Sequence, residues 1–241
     1  MKRYVFIFVI FIFGLSVYAQ TFTAYRRQEK IPLFPERKTS PTLDISLNLI
    51  RISGNTAIQN TVNAVLYNRN SVEAYVHALI NARKKNYEES AVFYDDDFSD
   101  SANWNYSQTI EASNFPKIIQ IKNSFSEYTG GAHENYGVQH VVINKQNAKQ
   151  LLITDIINDS NTMKKLITTA LVSNKNITLF STDIEIPHNF LFTNDGIKFQ
   201  WNPYDIAPYS QGIVEIVIPY TAIQKILTTQ GRTIIADFEK R

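Results

Sequence analysis

Hydrophobic residues along this chain switch between two periods. Leu43, Ile45, Leu47 and Leu49 alternate with Asp44, Ser46 and Asn48, the pattern of a strand with one buried face. Ser53-Gly54-Asn55 interrupts it. From Ile58 the spacing becomes helical, through Val62, Val65, Leu66, Val72, Tyr75, Val76, Leu79 and Ile80. Thr56 with Gln59 forms one candidate capping box and Asn70 with Glu73 a second, which predicts two helices jointed near Asn68. Strand patterns return at 106–110, 117–128, 138–144 and 151–153. Met163, Leu166, Ile167, Ala170 and Leu171 predict an amphipathic helix. Phe190 and Phe192, then Asn194-Asp195-Gly196, then Ile197, Phe199 and Trp201 predict a hairpin whose Asp-Gly turn supplies positive φ. A strand at 213–218 closes at Pro219, and Thr221 with Gln224 caps a last helix. Strands in runs, broken by few helices, predict an α+β fold. It is read as antiparallel sheets with a long N-terminal helical segment and two shorter helices packed on them.

The start of the chain follows a different logic. Lys2 and Arg3 precede an apolar run over 5–15, and Val17-Tyr18-Ala19 offers small residues where a signal peptidase needs them. The run is shorter than the roughly 20 apolar residues of a spanning helix. We therefore expect cleavage between Ala19 and Gln20, a periplasmic or secreted location, and no membrane span afterwards. Residues 20–41 carry Pro32, Pro35 and Pro41 among Arg26, Arg27, Lys30, Arg37 and Lys38, and read as a polar tail or linker. Such a cluster can contact anionic envelope polymers, though a solvated tail is the simpler reading.

Composition narrows the chemistry. The chain has no Cys, which excludes disulfides, thiolate metal sites and Cys nucleophiles. With 24 Lys+Arg against 22 Asp+Glu and no basic block, nucleic acid is not an expected partner. His133 and His140 lie seven apart, an odd separation that places them on opposite faces of a continued strand, so a shared metal ion requires Asn135-Tyr136-Gly137 to break the register. The acidic run Asp95-Asp96-Asp97-Phe98-Ser99-Asp100 lacks the Gly and Glu spacing of a calcium loop. No Gly-x-Ser-x-Gly elbow or phosphate loop occurs. No cofactor is implied.

Two segments remain that composition does not explain. One is Tyr128-Thr129-Gly130-Gly131-Ala132-His133-Glu134. The other runs from Asn189-Phe190 through Asn194-Asp195-Gly196 and Asn202-Pro203-Tyr204-Asp205-Ile206-Ala207-Pro208-Tyr209 to Gly212 and Ile218-Pro219-Tyr220. Adjacent Gly130 and Gly131 read as a turn, with Gly131 the candidate for positive φ, that carries Tyr128 and His133 to one edge. His133 reads as a brace of that turn through one buried hydrogen bond. Pro203 pins a second turn, and Tyr204 and Tyr209 are amphipathic anchors of the kind binding surfaces favour.

In this order the segments resemble the bacterial extracytoplasmic family known as domain of unknown function 3298, with its PdaC-type N-terminal companion module (DUF4163). Glu134, where a small residue or proline is commoner, and Trp201, where Phe is, depart from the pattern. With the signal peptide at 1–19 and the tail at 20–41, the resemblance divides the rest into companion module 42–150 and family module 151–241. It implies a non-catalytic binding part, akin to the lysozyme-sensing region of RsiV-like anti-sigma factors or to the non-catalytic part of peptidoglycan deacetylases. The implied partner is a lysozyme-like protein or peptidoglycan. The expected ligand-binding residues are Tyr128, His133, Glu134, Tyr204 and Tyr209, with Gly130, Gly131, Asn194, Asp195, Gly196, Pro203 and Gly212 shaping turns. The alternative is an envelope glycan hydrolase or deacetylase that uses His133 as base or ligand, helped by Glu134 or Asp205.

Overall fold

A computed structural model describes residues 20–91 and 103–239; the expected signal peptide and the acidic run at 95–100 lie outside them. Strands β1 (Thr21–Pro32), β2 (Thr42–Ser53), β3 (Trp104–Asn114), β4 (Ile118–Tyr128), β5 (Asn135–Asn144) and β6 (Lys149–Gln150) form a six-stranded sheet in that order. β7 (Phe190–Phe192), β8 (Gly196–Trp201) and β9 (Val214–Pro219) form a second sheet of three. The fold is α+β, as expected. Among the described residues all strand pairings are antiparallel but one: β2 and β3 run parallel, from Leu43↔Trp104 to Asn48↔Thr109. A parallel pair needs a long crossover, which here passes through the helical segment.

That segment is α1 (Thr56–Val62), a π-turn at Asn63–Tyr67, and α2 (Val72–Ala91). The joint falls at Asn68, which takes a left-handed φ of 46°. Both helix starts are displaced from the expected boxes. Asn55 caps α1, its Oδ1 accepting from Ala57 and Ile58 amides, and Ser71 Oγ accepts the Ala74 amide at α2. Asn and Ser satisfy orphan amides as well as Thr does, so one-residue shifts cost little. Tyr67 then fills a gap in the sheet. The pairing of β2 with β3 ends at Asn48, and the Tyr67 hydroxyl donates to the Ile50 carbonyl at 2.6 Å and accepts from its amide at 3.4 Å.

Residues 20–41 are not a tail. Thr21–Pro32 is a full edge strand, paired with β2 from Thr21↔Ser53 to Pro32↔Thr42. Its apolar residues Phe22, Tyr25 and Ile31 pack on the core beneath the sheet, while its polar residues face water. An edge strand with one solvated face carries just such a polar sequence, which is why composition misled.

The C-terminal half contains α3 (Ile153–Ile156), α4 (Ser160–Ser173), α5 (Tyr220–Ile223) and α6 (Thr229–Ile235). The strand expected at 151–153 is the lead into α3 instead. The helix expected from Thr221 forms as α5 and a 3₁₀ turn at Gln224–Ile226, starting at Tyr220 without a side-chain cap, while α6 follows it unexpectedly, capped by Thr228, whose Oγ1 accepts the Gly231 amide. The 190–201 hairpin forms, but neither Asp195 nor Gly196 has positive φ. Thr193 Oγ1 accepts the Asp195 and Gly196 amides and organises the loop in place of the expected φ pattern. Gly196 is needed for space: a Cβ there would lie 2.2 Å from the Ile218 carbonyl oxygen across the sheet.

Two cores share one wall. Leu43, Ile45, Leu47, Ile119, Ile121, Val141 and Ile143 pack under α1 and α2. Ile118 and Val142, on the opposite face of β4 and β5, join the C-terminal core with Met163, Ile167, Phe192, Ile197, Phe199 and Ile223. Alternation along two strands thus builds both cores. Among the described residues no helix is long and apolar enough to cross a membrane.

Candidate functional site

Side-chain amides fasten the two sheets. Gln120 Nε2 donates to the Phe192 carbonyl at 3.0 Å, and its Oε1 accepts the Phe192 amide at 2.6 Å. Asn189 does the same to β5: Nδ2 donates to the Val138 carbonyl and Oδ1 accepts the His140 amide. Asn202 Oδ1 accepts the Val138 amide at 2.8 Å. Each amide thus imitates a missing strand neighbour. His140 lies at the same junction, where its Nε2–H donates to Gln200 Oε1 at 2.9 Å. Burial pulls its pKa below the ordinary value; the Gln200 bond and Glu215 oppose this, and Lys122 and Lys198 reinforce it.

These clamps hold the 202–212 loop over the turn that connects β4 and β5, and four of the expected ligand residues meet there. The His133 ring stacks on Tyr209 with centroids 3.8 Å apart. Tyr209 donates to the Glu134 carbonyl at 2.8 Å, and His133 Nδ1 reaches the same oxygen at 2.9 Å. A carbonyl can only accept, so Nδ1 carries the proton and Nε2 is left to accept from Tyr204 Oη, 3.4 Å away. Burial beside Tyr136, Glu134 and Tyr204 pushes the Tyr209 hydroxyl up, which keeps it a donor.

Pro203 and Tyr204 occupy the centre of a turn closed by the Asp205 amide on the Asn202 carbonyl, 3.1 Å. Tyr204 has φ 71°, the third-position conformation of a type II turn, where glycine is usual. It is 59% exposed. An exposed tyrosine in a left-handed conformation is unusual for a bulky residue.

Residues 140–221 match the family described as "Protein of unknown function (DUF3298)". The chain is similar in fold to the crystal structure of a member of the DUF3298 family from Bacteroides fragilis, with TM-score 0.77 and 21% identity. That match covers 93% of this chain and 99% of the other. A DUF3298 family protein from Pseudomonas aeruginosa PAO1 matches with TM-score 0.58 and 16% identity, over 88% and 95% of the two chains. A search of curated proteins finds no match.

Within the DUF3298-matched segment, the signature residues divide by task. Asn189 and Asn202 are the clamps, while Tyr204 and Tyr209 form the cluster. Gly212 takes φ 69°, ending the short helical turn at Tyr209–Gln211. Outside the segment, Gly130 rather than Gly131 holds positive φ, at 86°; the expectation for Gly131 was misplaced by one residue. His133 is exposed, so its bond is no buried brace. Tyr128 stands apart, at the end of β4 opposite Asn105, and makes no ring contact with the cluster.

The sequence missed Tyr136, whose ring meets Tyr209 edge-on at 5.7 Å. Strand alternation with Val138 and His140 was the signal for it. The carboxylates expected to assist His133 point elsewhere: Glu134 accepts from Ser126 Oγ, and Asp205 from the Asn202 amide. Among the described residues, no three His, Asp or Glu side chains converge to hold a metal ion.

Proposed function

We propose that the protein is an exported, non-enzymatic binding module of the cell envelope, released to the periplasm or exterior by cleavage after Ala19. Its ligand contacts run through His133, Tyr204 and Tyr209. The observation that carries this reading is the exposed ring cluster with Tyr204 in a strained turn. Backbone strain of this kind clusters at ligand-contacting sites, and here it holds a largely exposed aromatic ring beside His133 and Tyr209. His133 has a carbonyl and a tyrosine as partners, an arrangement that fixes a ring for contact but lacks the carboxylate that would orient a general base. The likeness to the envelope family noted from the sequence supports a lysozyme-like protein or peptidoglycan as ligand.

The test is retention of residues 20–241 on peptidoglycan sacculi and on immobilised lysozyme at low salt. We expect retention on one of them, lost in Tyr204→Ala and Tyr209→Ala. Failure on both supports removes the reading, and release of sugar or acetate from sacculi would replace it with an enzymatic one.

A further inference from the structure

The strand register lines up polar side chains on the face of the large sheet opposite α1 and α2. Contacts fix which face is which: Tyr75 and Arg83 of α2 bond Gln108 and Glu127, while Ser126 meets Glu134 and Tyr136 meets Tyr209 on the other side. On that other side, Gln28 pairs with Ser46, Ser46 with Ser107, Ser107 with Ser126, and Ser126 with Tyr136. A parallel row joins Arg26, Asn48, Thr109 and Ser124. Ser46, Asn48 and Ser107 are exposed, and Thr109, Ser124 and Ser126 half-buried. Five strands at a spacing of about 4.8 Å make a lane of about 19 Å. A depression of about 430 Å³, lined by Arg26, Arg27, Gln28, Ser46, Leu47 and Asn48, lies at one end. The ring cluster stands at the other.

We propose that this lane seats an extended polysaccharide strand running across the β-strands, with sugar rings stacking on the Tyr204–His133–Tyr209 cluster. The proposal rests on the binding-module reading and names its ligand. Hydroxyl and carboxamide side chains both donate and accept, which matches the mixed demands of sugar hydroxyls. Aromatic faces suit the apolar faces of sugar rings. A peptide strand would instead use the free backbone edge of β1, and would not need this row of side chains. Nucleic acid would need a stripe of cations, and the two rows hold one, Arg26.

Calorimetric titration with N-acetylglucosamine oligomers of two to six units tests the proposal. Affinity should rise with length. Ser107→Tyr, a bulky residue that a strand tolerates, should weaken the hexamer about tenfold and leave the dimer unchanged. Ser46→Tyr provides the same obstruction should Ser107→Tyr melt early. Tyr204→Ala should weaken both oligomers. Equal affinity for dimer and hexamer, or a hexamer indifferent to both lane variants, overturns the lane and leaves the binding module standing. Retention on lysozyme without oligomer binding overturns the polysaccharide, and retention on neither lysozyme nor sacculi removes the underlying reading as well.

Discussion

Tyr204 shows how a single residue can be set against its own backbone. A left-handed φ costs an L-residue about 1–2 kcal/mol, and glycine would avoid that while adding about 0.5–1 kcal/mol of chain entropy. Tyr204→Gly should therefore leave thermal stability unchanged or raise it by up to about 1.5 kcal/mol, and abolish ligand retention. A clear fall in melting temperature would mean that the ring is structural. Gly196 carries the opposite constraint. Its missing Cβ would meet backbone at 2.2 Å, so Gly196→Ala should cost about 1–3 kcal/mol in denaturant unfolding. Gly131→Ala meets nothing within 4 Å and should stay within about 0.5 kcal/mol of the parent. His140 sets a pH response. Its folded pKa lies below the unfolded value of about 6.5, so the unfolded chain binds the proton more readily. Its contribution is complete above that value and is lost as pH falls below it toward the folded pKa. Melting temperature should drop between pH 7 and pH 5, and less steeply in His140→Gln.

At the level of elements, what fixes one part to the next is polar and local. Asn189, at the entry to the β7–β8 hairpin, bonds both a carbonyl and an amide of β5. Asn189→Ala strands both groups at a partly buried junction and should cost about 2–4 kcal/mol in urea unfolding. A loss below about 0.5 kcal/mol would show that these two hydrogen bonds do not fasten the hairpin to β5. The helix joint was legible from the sequence because Asn68 sits where two apolar patterns meet, and asparagine tolerates φ 46° better than most residues. The caps were less legible, since Asn55, Thr56, Asn70 and Ser71 can all accept amide hydrogens and only the chain's exit direction chooses among them.

For the whole molecule, the shared wall of β4 and β5 has consequences for where the chain can be cut. A fragment of 151–239 loses Ile118 and Val142 from its core, the Gln120 side chain that holds Phe192, and the Val138 and His140 backbone groups that Asn189 bonds. It should lack a cooperative thermal transition by circular dichroism, whereas residues 20–241 should show one. Starting the chain at residue 42 removes an edge strand, not a tail, and should lower the melting temperature by several degrees through exposure of the β2 edge and the apolar residues under it. An unchanged transition would restore the tail reading.

Much of this protein was written into local pattern. The period-two runs from Leu43, Tyr106 and Val138, the amphipathic Met163–Leu171 face, and the hairpin around 194–196 depend on neighbours a few residues apart, and all are present in the fold. His133, Tyr204 and Tyr209 drew notice, with Tyr128, because each lies in or beside a turn marked by Gly or Pro, which is a local signal. Tertiary structure alone decided the rest. That β2 and β3 run parallel, that a basic and proline-marked segment is a strand, and that Tyr136 completes the cluster while Tyr128 stands apart all follow from which strand lies beside which. A strand's pattern records which of its faces is wet, but not its neighbour or its direction. The polar lane from Gln28 to Tyr136 exists only in the register of five strands gathered from distant parts of the chain, and no window along the sequence contains it.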